Sequence, residues 1–169
     1  MEKMYARQAY SAVLKSREYQ EFKKKYPHAF LAHAFTTLAD NLKTPWQIGF
    51  YDEGTDRVIL FETAGEKIIE YPPQEVYKEP GHKVQPLYFD EVTVTADQAV
   101  GIVNTRMQES YKGEVAGKHI IILQSLEDHG SIWNITVLSL TFHVINFKID
   151  AKSGAIVHER RELLTTWKK

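Results

Sequence analysis

The spacing of hydrophobic positions changes once along the first part of the chain, and the change then recurs. Ala9, Ala12, Val13, Ser16 and Tyr19 form a narrow stripe at helical spacing, followed by Lys23-Lys24-Lys25, where a helix end favours cations. Beyond it the period falls to two, and Phe30 to Leu38, Pro45 to Tyr51 and Arg57 to Glu62 read as strands. Asp52-Glu53-Gly54 supplies a turn, and a last short strand follows Ala64-Gly65. Later, Thr95-Ala96-Asp97-Gln98 has the form of a capping box, in which side chain and backbone satisfy each other's free groups at a helix start. Ala99, Val103 and Met107, flanked by Val100 and Tyr111, predict an amphipathic helix over 96–111. Lys118 to Leu126, Ser131 to Ser139 and Phe142 to Asp150 follow as strands, with a reversal near Leu140-Thr141 and a short strand after Ser153-Gly154.

The two series align. Trp46-Gln47-Ile48-Gly49-Phe50 and Trp133-Asn134-Ile135-Thr136-Val137 are both Trp-polar-Ile-small-apolar runs, and Leu38-Ala39-Asp40 matches Leu126-Glu127-Asp128. The fold class expected is therefore α+β, built as two tandem units over 1–70 and 91–169. Each is one helix packed on a three- to four-stranded antiparallel meander. Four of the six prolines, Pro72, Pro73, Pro80 and Pro86, lie in 71–90, which reads as the connector because proline lacks an amide donor and fixes φ. Trp46 and Trp133 read as equivalent core residues. Ile120 to Leu123 and Val144 to Phe147 are apolar on both strand faces, so the far face of the second unit is expected to pack against the other unit or a second chain.

At 169 residues, two units of this size each sit near the lower limit for an independent core. Charge is even: residues 1–70 hold ten Lys/Arg and ten Asp/Glu, and residues 91–169 hold nine of each. Nucleic acid is not an expected partner, because neither half is a basic lobe. The absence of cysteine removes disulfides, thiolate nucleophiles and Cys-rich zinc sites. No stretch approaches the length of a membrane span. Met1 as the natural start reads as cytoplasmic; a removed leader would make the setting extracytoplasmic.

Seven histidines are the remaining candidates for chemistry. His33, His119 and His143 each alternate with apolar neighbours on a strand face, and no His-x-His pair or His-Glu-x-x-His helix is present. They read as candidate pocket or interface residues, with no metal ligand, cofactor or catalytic residue assigned. Glu127-Asp128-His129 falls at a hairpin turn, too wet to tune a general acid or base. Nucleophile elbows and phosphate loops are missing. Trp167, in Leu163-Leu164-Thr165-Thr166-Trp167, reads as an apolar tail that folds back or docks on a partner.

Trp133 to Val137, followed by Phe147-Lys148-Ile149-Asp150-Ala151-Lys152-Ser153-Gly154-Ala155-Ile156-Val157, resembles the PepSY domain of protease propeptides and bacterial envelope proteins. In that turn Asp150 can accept backbone amides and Gly154 can take positive φ. The resemblance covers about 95–159 and, more weakly, 5–70, where Phe61 to Ile68 echoes the turn with Glu in place of Asp. It implies a cystatin-like helix-on-sheet fold, a non-catalytic inhibitory or regulatory role and an extracytoplasmic setting.

Two functional readings follow. The first is a non-enzymatic protein that offers a sheet face or edge to another polypeptide, modulating a protease in the narrowest form. The second is a small-ligand carrier or enzyme with a pocket on the concave sheet face, lined by His33, His119 or His143. Self-association as a homodimer through the apolar sheet face is a third arrangement.

Overall fold

In the computed structural model, which describes residues 5–166, the amino-terminal apolar stripe is carried by two helices rather than one. α1 (Ala6–Lys15) and α2 (Arg17–Lys25) are broken at Ser16, whose backbone is extended. Its hydroxyl donates to the Val13 carbonyl at 2.6 Å and accepts from the Tyr19 amide at 3.1 Å, ending one helix and capping the next. α3 (Ala96–Ser110) begins at the Thr95–Gln98 capping box.

Among the described residues ten strands form one antiparallel sheet. β1 (Phe30–Ala39), β3 (Gln47–Asp52), β4 (Arg57–Ala64) and β5 (Lys67–Glu70) make one side; β7 (Ala116–Leu126), β8 (Gly130–Ser139), β9 (His143–Asp150) and β10 (Ile156–Leu163) make the other. Two short strands, β2 (Leu42–Lys43) and β6 (Gln74–Glu75), pair with β1 and β4. The spatial order is β10-β9-β8-β7-β1-β3-β4-β5.

This order overturns the expectation of two separate helix-on-sheet units. β1 pairs with β7 from His33↔Gln124 to Leu38↔His119, so both strands lie inside one sheet. The physical reason is edge satisfaction: an apolar strand left at an edge exposes unpaired amides and carbonyls, and joining the two edges removes both. The halves therefore meet side by side, in the plane of the sheet, rather than face to face.

One core lies under all three helices. It runs from Ala9, Val13 and Phe22 through Phe50, Phe61 and Trp46 to Trp133, Ile135, Phe147 and Val103. The Trp46 and Trp133 rings lie 6.4 Å apart within it. Segment 71–90 is more than a spacer. Val76 and Val84 pack on Ala32, Tyr51 and Val58 on the opposite sheet face, and buried Leu87 donates its amide to the Leu31 carbonyl at 2.9 Å.

Candidate functional site

The three strand histidines are not brought together. His33 is half-buried on the sheet face away from the helices' core, cross-strand from Gly49, and burial lowers its pKa to about 4. His119 faces the helices: it is buried, its Nε2 lies 3.2 Å from Asn104 Oδ1 on α3, and desolvation lowers its pKa. His143 sits at the start of β9 with Nδ1 2.8 Å from Glu114 Oε1. Among the described residues no group of three or more His, Cys, Asp or Glu is placed to hold a metal ion.

Asp150 and Gly154 shape the β9–β10 turn. Asp150 Oδ1 accepts the amides of Lys152 at 2.9 Å and Ser153 at 2.7 Å, which holds its carboxyl below the usual range, and Gly154 has φ +82°. Trp46 and Trp133 are core residues, the latter donating Nε1–H to the Val94 carbonyl at 2.9 Å. Glu127 accepts from the Lys83 amide and the Gln85 side chain, tying the 71–90 segment to the β7–β8 hairpin. Trp167 lies outside the described residues.

What the structure adds is an open groove of about 1110 Å³ between α3 and β10. β10 ends the sheet and has β9 as its neighbour among the described residues. The register slips between Ile156 and His158, a bulge of the kind found at sheet edges. Val94, Ile102, Ile156 and Val157 give the groove an apolar end. At the other end Arg106 Nε donates to Glu159 Oε1 at 2.7 Å and the Tyr111 hydroxyl donates to Glu159 Oε2 at 2.7 Å. The bond from Arg106 holds Glu159 below the ordinary carboxylate range, while burial, with the hydrogen bond to Glu159, pushes the Tyr111 phenol up to about 12.

Gly101 lies on the groove wall in mid-helix, and a Cβ there would meet nothing within 4 Å. Glycine in a helix interior costs about 0.5–1 kcal/mol relative to alanine. Among the described residues no neighbour requires that cost. An isolated glycine inside the helical pattern was the available sequence signal for this wall. A smaller groove of about 500 Å³ runs between the amino-terminal helices and β5, but β5 spans four residues against eight in β10.

No family model matches the chain, and no curated protein matches it by sequence. A solved structure does share its fold: the crystal structure of a "putative lipoprotein" from Clostridium difficile 630, at TM-score 0.57 and 15% identity, covering 95% of this chain and 97% of that one. No described helix is long and apolar enough to cross a membrane.

Proposed function

We propose that this chain is a non-catalytic binding protein that captures an extended polypeptide segment along β10, under α3. The supporting observation is a sheet edge and a helix that together frame a groove whose wall carries an internally unneeded glycine. A captured segment adds as a further strand, so main-chain hydrogen bonds to β10 supply affinity. Its side chains rest on Val94, Ile102, Ile156 and Val157, and the space over Gly101 admits a bulky one.

The shared fold of the "putative lipoprotein" supports an extracytoplasmic setting. Where the captured segment belongs to a protease, the chain acts as its modulator, the role that the resemblance of 147–157 to a PepSY turn implies.

Selection of displayed peptides on the full chain tests the reading. Peptides should emerge that bind the wild type, and Gly101→Leu, which fills the groove from the helix side, should lower their affinity at least about tenfold with no loss of thermal stability. Peptides that bind both proteins equally would refute this placement.

A further inference from the structure

Large apolar side chains stand out from the end of the sheet where β8 turns into β9. Leu140 is 66% exposed, Phe142 70%, Val115 58% and Leu164 44%. Their backbones are tied together at this end: the Leu140 amide donates to the Val115 carbonyl at 2.8 Å, and the Leu164 amide donates to the Phe142 carbonyl at 2.7 Å.

Phe142 also has φ 62°. The other positive-φ positions among the described residues are Asp40, Asn41, Asp56 and glycines, the residue types that accept this backbone region readily. For a phenylalanine the left-handed conformation costs about 1–2 kcal/mol, which Gly or Asn in the same turn would avoid. An exposed aromatic kept at a strained turn gains nothing from the interior of this fold.

Exposed ammonium groups flank the patch: Lys112 precedes Val115 in the α3–β7 loop, and Lys118 pairs with Leu138 on β8, the strand that leads into Leu140. The glutamates nearby face guanidinium groups, Glu114 with Arg161 at 3.8 Å and Glu162 with Arg160 at 2.5 Å. Glu109, further back on α3, lines the groove instead.

We propose that this tip is an interfacial anchor for an anionic lipid bilayer. Leu140, Phe142, Val115 and Leu164 enter the headgroup–acyl boundary while Lys112 and Lys118 lie against anionic headgroups. The exposed apolar side chains suit a headgroup–acyl boundary, and the flanking lysines are complementary in charge to anionic lipid. The proposal is independent of the groove beside β10.

The test is co-sedimentation of the full chain with vesicles of an equal mixture of phosphatidylcholine and phosphatidylglycerol, beside vesicles of phosphatidylcholine alone. The expected result is binding to the mixture that weakens with added salt and exceeds binding to phosphatidylcholine alone. Phe142→Gly, which relieves the turn, should reduce it by about tenfold or more while leaving thermal stability unchanged or raised; Leu140→Ser should also reduce it. No binding to the mixture, equal binding to both vesicle types, or binding unchanged in Phe142→Gly would each overturn the proposal. So would self-association at micromolar concentration, seen by light scattering and abolished by Phe142→Gly, because the patch would then be covered by a second copy.

Discussion

The His33 imidazole lies across Gly49, its cross-strand partner: a Cβ on Gly49 would fall 2.2 Å from Cε1, 2.6 Å from Nε2 and 2.7 Å from Nδ1 of that ring. Glycine is required here by contact rather than by backbone conformation. Gly49→Ala should destabilise the chain by about 1–3 kcal/mol through overpacking. In His33→Ala the same substitution should cost far less, giving a coupling of at least about 1 kcal/mol in a urea-unfolding double-mutant cycle. Additive effects would show that the ring and the glycine are independent.

The same histidine sets an acid limit on stability. Burial lowers its pKa to about 4, against 6.5 for an exposed imidazole. Between those values the unfolded chain binds a proton that the folded chain does not. The contribution is therefore complete above pH 6.5 and is lost as pH falls toward 4, on the order of 2–3 kcal/mol. His33→Phe should shrink the stability difference between about pH 7 and about pH 4 by that order. Buried His119 leaves a residual loss of the same sign. Urea unfolding of both proteins at the two pH values reads the difference.

The pairing of β1 with β7 and the contact of Trp46 with Trp133 make the two halves one cooperative body. Far-UV circular dichroism and indole fluorescence should report one coincident unfolding transition. Ile121→Ala, at a fully buried β7 position paired with Thr36, should shift that whole transition at a cost of about 2–5 kcal/mol. Two separable transitions would contradict the shared core.

Gly101→Ala adds a methyl group to open space. It should stabilise by about 0.5–1 kcal/mol, seen as a rise in Tm of about 1–4 °C in a thermal melt. A loss of stability would mean that the glycine serves the helix itself.

The elements were largely legible in the sequence, and their arrangement was not. Period-two runs from Phe30, Lys118 and Ser131 placed strands close to where they lie, and Thr95 with Gln98 marked the start of α3. Period two states which face a residue takes, but not which strand stands beside it. Nothing in residues 33–38 or 119–124 announces that they pair, so the pattern alone reads as two sheets where there is one. Ser16 falls on the apolar stripe by its spacing; its second role as a cap depends on a backbone break that spacing does not encode. The histidines illustrate the same limit. Alternation put His33, His119 and His143 among apolar neighbours, but convergence depends on register and sheet face, and these separate them. The α3–β10 groove joins residues about fifty positions apart, such as Arg106 and Glu159, and only Gly101 hinted at it.

The most direct test of the central claim is amide hydrogen exchange along β10, in the full chain, with and without a peptide selected for binding. Capture as an added strand should slow exchange at the outward-facing amides of Ile156–Leu163, and Gly101→Leu should need at least about tenfold more peptide for the same protection. Saturating peptide that leaves β10 exchange unchanged, or protects β5 instead, would contradict it.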